Sequence, residues 1–164
     1  MPEITAFGWF HTIIAILAVP AGIYTLIRNK VISSAQMAGK VYLILTLIAA
    51  ATALGIYRHG GFGIAHGLAV LSLASLLLGF IAEKTRIFGK LSRFVQAGFY
   101  LATFLFNMIP AVTEGFLRLP VGSPRVTSLN DSLLQGSHLA LVLAFIVGLI
   151  LQIRYLRSES IEPD

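Results

Sequence analysis

Five long runs of apolar residues alternate with short polar segments along the chain. Each run is close to the roughly 20 residues that an α-helix needs to cross a hydrocarbon core of about 30 Å. Backbone groups in lipid have no partners outside the helix, and the runs lack the strict alternation of barrel strands. The pattern therefore predicts an all-α integral membrane protein with five transmembrane helices in one bundle. The predicted spans are Ala6–Ile27, Val41–Tyr57, Phe62–Ala82, Phe94–Leu117 and His138–Tyr155.

The polar segments between these runs leave no room for a second domain. Residues 1–157 are predicted to form a single transmembrane domain, followed by a short polar tail at 158–164. The longest connection is Arg118–Gln135, which contains Pro120, Gly122 and Pro124. Connections of this length often serve as lids or partner surfaces in compact proteins.

Composition and charge agree with a membrane location. The chain is 57% hydrophobic and 12% charged, whereas soluble domains carry roughly a quarter charged residues. Nine of the twelve Lys and Arg residues fall in the connections after the first and third runs, or at the end of the fifth run and just beyond it. The positive-inside rule puts this end in the cytoplasm, with the N-terminus outside and the C-terminus inside. The formal charge of +5 thus follows from topology and does not indicate nucleic-acid binding.

The first apolar run is not typical of a cleavable signal peptide, because no basic segment precedes it and the run is long. The chain has no cysteine, which excludes thiolate ligands, disulfides and covalent haem attachment. Compact size and short connections favour a bacterial inner membrane as the location.

All four histidines fall on the outer side of the predicted topology. His11, His66 and His138 each lie near the start of an odd-numbered helix, and His59 follows the second helix. Helices one, three and five run in the same direction, so the three imidazoles are expected at a similar depth. Ionisable side chains at membrane depth are costly, which makes them candidates for a functional site.

Glu114 belongs to the same predicted layer. Three histidines and a carboxylate could bind zinc or copper, and Glu114 could instead act as general base of a membrane hydrolase. The spacing also permits a simpler interpretation, in which Glu114 pairs with Arg118 four residues later.

Haem b is the first-ranked interpretation. It requires two axial imidazoles, here two among His11, His66 and His138, and cations for the propionates, for which Arg58 and Arg118 are candidates. Such a protein would transfer electrons to a quinone or another membrane redox partner. In outline the arrangement is similar to small membrane b-type cytochromes, but many of those have histidines near both membrane faces, and no diagnostic motif is present.

Small residues recur along the fifth helix and predict close helix packing or homo-oligomer formation. The stripe consists of Gly136, Ala140, Ala144 and Gly148. The opposite face runs from His138 through Leu141, Phe145 and Gln152, and is predicted to face a site or a second subunit.

Three classes of function therefore remain open from the sequence. A haem b redox protein ranks first and a zinc or copper site second. The third is a non-catalytic accessory subunit or small transporter in which the histidines are structural.

Overall fold

The computed structural model describes residues 4–57 and 61–159, which form an all-α fold, as the apolar pattern predicts. Four of the helices are long and apolar enough to cross a membrane, whereas α2 is shorter, with 17 residues. The helices are α1 (Ala6–Asn29), α2 (Met37–Ala53), α3 (Ile64–Thr85), α4 (Ser92–Arg118) and α5 (Ser132–Glu159). A short 3-10 turn, Gly89–Leu91, precedes α4.

Local hydrogen bonds set the helix ends. The Thr5 hydroxyl accepts from the Gly8 amide at 3.1 Å and caps the start of α1. At the other end Lys30 adopts φ 65°, and its amide donates to the Leu26 carbonyl. This left-handed residue stops α1 at the point where the chain turns towards α2.

Helix α5 is longer than the apolar run that predicted it. The helix begins at Ser132 and not at the predicted His138, because the Asp131 carboxylate accepts a hydrogen bond from the Leu133 amide at 2.9 Å and caps the first turn. Its end extends to Glu159, two residues into the predicted tail, where Glu159 is bonded by Tyr155 and Arg93. Residues 160–164 of the predicted tail lie outside the described residues.

The first four helices form a ring in which α1 packs on α2, α2 on α3, α3 on α4 and α4 back on α1. Helix α5 packs mainly on the outside of α4. The start of α1 meets the end of α2, and the start of α5 meets the end of α4. These contacts form one end of the molecule, which we call the histidine end. The opposite end, where the α1–α2 segment meets the end of α3 and the start of α4, we call the basic end.

The best-buried part of the core lies towards the basic end. Tyr42 and Tyr100 are fully buried there together with Ala18 and Ile32. Gly22 allows α1 to approach closely, since a Cβ at this position would lie 2.7 Å from the Phe104 ring. Close approach at small residues is how membrane helices gain packing energy.

The outer surfaces of the helices are strongly apolar. Many large side chains, such as Ile16 on α1, Leu77 on α3 and Leu139 on α5, are more than half exposed. A soluble monomer rarely exposes continuous apolar surface on this scale. These surfaces and the four long apolar helices indicate an integral membrane protein in contact with the lipid bilayer.

Candidate functional site

The structure separates the three histidines that the sequence groups in one layer. His11, His66 and His138 lie on α1, α3 and α5, and none of these helices packs extensively on another of the three within the described residues. Helices α2 and α4 lie between them. His59 and the propionate candidate Arg58 lie outside the described residues.

His11 connects α1 to α2. Its Nδ1 lies 3.0 Å from the Ala49 carbonyl oxygen and 3.0 Å from the Thr52 hydroxyl. A carbonyl can only accept, so Nδ1 carries the proton and donates, which leaves the ring lone pair on Nε2. This is the tautomer that metal-binding histidines usually adopt.

His66 has the opposite tautomer. The Gly63 amide donates to His66 Nδ1 at 3.1 Å, which caps the start of α3. Nδ1 is therefore the acceptor and a neutral ring carries its proton on Nε2. The side chain is 4% exposed between the rings of Tyr57 and Phe62, and its Nε2 has no hydrogen-bond partner among the described residues. A ligand bond through Nε2 would require the Gly63 hydrogen bond to break.

His138 connects α5 to α4. Its Nε2 lies 2.9 Å from the Thr113 hydroxyl, which in turn donates to the Ile109 carbonyl at 2.8 Å. The Thr113 proton is thus already used, and His138 Nε2 donates to the hydroxyl oxygen. Its role in the fold is to hold the start of α5 against α4.

The acidic partner predicted for a metal is engaged elsewhere. Glu114 accepts from Arg118 Nε at 2.6 Å, which is the i, i+4 pair that the spacing allows. One guanidinium nitrogen of Arg118, Nη2, is buried without a hydrogen-bond partner among the described residues. Over residues 4–57 and 61–159, no three His, Asp or Glu side chains come close enough to hold one metal ion.

The most densely bonded polar group lies at the basic end and was missed from the sequence. Glu83, near the end of α3, accepts through Oε1 from the Ser33 hydroxyl at 2.6 Å and the Ser34 amide at 2.8 Å. Its Oε2 accepts from the Tyr100 hydroxyl at 3.0 Å, and the Gln96 amide lies 3.4 Å from Oε1. The carboxylate therefore joins α3, α4 and the α1–α2 segment.

A glycine makes this contact with the α1–α2 segment feasible. A Cβ on Gly39 would lie 2.1 Å from the Ser33 carbonyl oxygen, so only glycine lets the segment fold against the start of α2. Glu83 is one of only two acidic residues between Ile4 and Asn130. A single acidic residue beside several Lys and Arg residues was the only hint of this site in the sequence. Its hydrogen-bond partners are too far apart along the chain to form a motif.

A second polar group lies inside the ring of helices. The Tyr42 hydroxyl bonds to the Thr103 hydroxyl at 2.7 Å, and Asn107 donates to the Thr46 hydroxyl at 2.9 Å. Asn107 therefore links α4 to α2. Satisfied polar pairs of this kind hold membrane helices together.

A groove of about 540 Å³ runs between α1, α4 and α5. Its walls are apolar and include Leu26 on α1, Phe104 and Met108 on α4, and Leu141 and Phe145 on α5. Along α5 it extends from Leu141 to Tyr155, which corresponds to about 20 Å of helix. Leu141, Phe145 and Gln152, which the sequence placed on the face towards a site or a second subunit, line this groove. Ala144 and Gly148 of the small-residue stripe line it too, so the two predicted faces are not separate here.

The groove becomes polar where it reaches the basic end, at Lys30, Gln152 and Tyr155. Gln152 is 3% exposed, and its amide nitrogen donates to the Lys30 carbonyl at 2.9 Å. Because Lys30 offers a carbonyl there, the amide cannot be reversed. Its Oε1 thus remains buried and without a hydrogen-bond partner among the described residues.

No protein-family model matches this chain, and neither curated proteins nor solved structures give a significant match. The class of protein therefore follows from the fold alone, which is that of a multi-pass helical membrane protein.

Proposed function

We propose that this protein binds one amphipathic, lipid-soluble molecule in the groove between α1, α4 and α5. The observation that carries the proposal is the combination of a long apolar groove and a polar end at Lys30 and Gln152. The apolar part of the ligand would lie along α5, and its head would meet the polar end.

The size of the groove supports this proposal. Binding sites for small molecules commonly have volumes of 300–1,000 Å³, and the groove has about 540 Å³. One leaflet of a bilayer has a hydrocarbon depth of about 15 Å, so a groove of about 20 Å fits the tail of a single-leaflet lipid.

The Gln152 amide indicates a ligand with a polar head, and not only the tails of ordinary lipids. A buried acceptor without a partner costs about 1–3 kcal/mol. A ligand whose head donates a hydrogen bond could recover part of this cost after a small rotation of the amide. The amide nitrogen explains the glutamine in part, through its hydrogen bond to the Lys30 carbonyl, and a ligand would give its oxygen a partner as well.

The test is to fill the groove. Ala144 lines it, and Ala140, one turn earlier on α5, is exposed and does not. We expect wild-type protein to retain about one equivalent of lipid after extensive detergent washing, measured by extraction and mass spectrometry. Ala144→Phe should lose it and the control Ala140→Phe should keep it. Equal retention by both variants would contradict the proposal, and an isoprenoid quinone would be recognised by its mass.

The orientation proposed for this protein follows from charge. We propose that α2 also spans the membrane, that the basic end faces the cytoplasm of a bacterial inner membrane, and that the histidine end faces outward. The 17 residues of α2 give a helix of about 26 Å, close to the thickness of the hydrocarbon core. Its contacts with Ser33 at one end and His11 at the other support a full crossing.

Binding of haem b near the histidine end is a second proposal. Two observations favour it: the Nδ1-protonated tautomer of His11, and the buried Nη2 of Arg118, which has no partner in the described part of the chain and would suit a propionate. The three histidines suit one axial position better than two. His66 and His138 both carry their ring proton on Nε2, so this nitrogen has no lone pair for the iron.

An ultraviolet–visible spectrum of purified protein, oxidised and then reduced with dithionite, tests this second proposal. A Soret band that is lost in His11→Ala would support it. A colourless sample that stays colourless after incubation with haemin would contradict it, and elemental analysis of the same sample would detect zinc or copper.

A further inference from the structure

We propose that the ligand is an anionic glycerophospholipid with a hydroxyl-bearing head, of the phosphatidylglycerol class, whose head enters a second pocket beside the groove. This inference rests on the proposed lipid-binding function and adds the chemistry of the head. The second pocket, which we call the head pocket, has a volume of about 190 Å³.

The head pocket adjoins the groove. Tyr155 lines both cavities, with the apolar groove on one side and the head pocket on the other. The head pocket is bounded by the α1–α2 segment, the start of α4 and the end of α5, and its walls are polar. An amphipathic molecule could therefore place its tail in one cavity and its head in the other.

The positive charge that suits an anion lies at the polar end of the groove. Within the head pocket Arg93 pairs with Glu159, so these two charges cancel. The Lys30 ammonium lines the groove, not the head pocket; it donates to the Ile27 carbonyl at 3.0 Å and has no carboxylate partner among the described residues. The carboxylate of Glu83 does not line either cavity and is bonded by its own four donors.

The remaining polar groups suit hydroxyls. The amides of Asn29 and Gln36 line the head pocket and can both donate and accept hydrogen bonds. At the junction, Gln152 offers its buried Oε1 to a donor. A phosphodiester therefore suits Lys30, and the glycerol hydroxyls suit the amides. A choline head, which has no donor, would offer nothing to the oxygens of these amides.

The experiment compares three lipids with identical tails in native mass spectrometry of the full-length protein. Phosphatidylglycerol carries charge and hydroxyls, phosphatidylmethanol carries only the charge, and phosphatidylcholine is zwitterionic without a donor. We expect phosphatidylglycerol to bind best. Lys30→Gln should reduce its preference over phosphatidylcholine about fivefold, the effect of one cation near a lipid surface. The control Lys40→Gln, an exposed lysine outside both cavities, should not change it.

The hydroxyl part of the inference is tested separately by Gln36→Leu. This variant should reduce the preference for phosphatidylglycerol over phosphatidylmethanol without altering the charge preference. If all three lipids bind equally and Ala144→Phe still abolishes their binding, this inference is wrong and the proposal of a lipid-binding groove stands. Binding that is insensitive to Ala144→Phe would overturn both proposals.

Discussion

Glu83 lies in an apolar bundle without a Lys or Arg partner among the described residues, and its charge is stabilised by donors instead. Ser33, Ser34 and Tyr100 supply three close hydrogen bonds, and Gln96 a longer fourth. Bonds to a charged group are worth about twice as much as neutral bonds, so this carboxylate is expected to contribute to stability.

Replacing Glu83 by glutamine should destabilise the protein by about 2 kcal/mol, because the charge is lost and an amide group then faces donors. The free energy of unfolding in mixed detergent and SDS micelles measures the effect. Glu159→Gln is the matched control, since the exposed Arg93–Glu159 pair should contribute less than about 1 kcal/mol. Equal losses in both variants would show that Glu83 is not a special stabilising group.

Gly79 determines where the Tyr100 ring lies. A Cβ on Gly79 would be 2.5 Å from that ring, whereas a Cβ on Gly67 in the same helix would meet no atom within 4 Å. Gly79→Ala should therefore displace Tyr100 and cost about 2 kcal/mol, and Gly67→Ala should be neutral or stabilise by about 0.5 kcal/mol. Thermal unfolding in detergent distinguishes the two. A neutral Gly79→Ala would mean that the bundle adjusts without strain.

At the scale of elements, the apolar pattern predicted the five helices and their order, because burial in lipid leaves the backbone no other choice. It did not predict the ends of the helices. The start of α5 lies six residues before His138, where Asp131 supplies a side-chain cap that hydropathy does not register. The sequence predicted that one face of α5 meets a site or a second subunit, but it did not predict the groove, because the other walls of the groove come from α1 and α4.

The sequence does not show which helices pack on one another, and this also explains which candidate sites were predicted and which were missed. His11, His66 and His138 were grouped because equal depth was inferred from helix direction, but depth does not determine which helices touch. Glu83 was overlooked because it follows directly after an apolar run among basic residues, where a charge is ordinary. Its partners come from α4 and the α1–α2 segment, and only packing brings them to it.

Asp131→Ala should fray the start of α5, because the Leu133 amide loses its acceptor, at a cost of about 1 kcal/mol. Hydrogen exchange of the Leu133 and Gln135 amides should become faster, whereas amides beyond Leu141 should not change. Asn130→Ala is the control, since Asn130 engages Ser128 through its backbone amide and not its side chain. Unchanged exchange at Leu133 would show that packing on α4 alone holds this turn.

At the scale of the whole molecule, the two ends differ in charge and in chemistry. The basic end holds Glu83, the head pocket and the polar end of the groove. The histidine end holds His11, His66 and His138, each bonded within its own part of the bundle. Orientation therefore decides which leaflet supplies a ligand to the groove, and under the proposed topology it is the cytoplasmic leaflet.

Because the chain contains no cysteine, single cysteines report the orientation directly. Thr127 in the α4–α5 loop and Ser158 at the end of α5 are both exposed, and they lie at opposite ends of the molecule. In intact cells, a membrane-impermeant maleimide should label Thr127→Cys and should label Ser158→Cys only after the membrane is opened. The reverse pattern would invert the topology and assign the groove to the outer leaflet. Labelling of both positions in intact cells would mean that α5 does not cross the membrane, and the groove could not then hold the tail of a single-leaflet lipid.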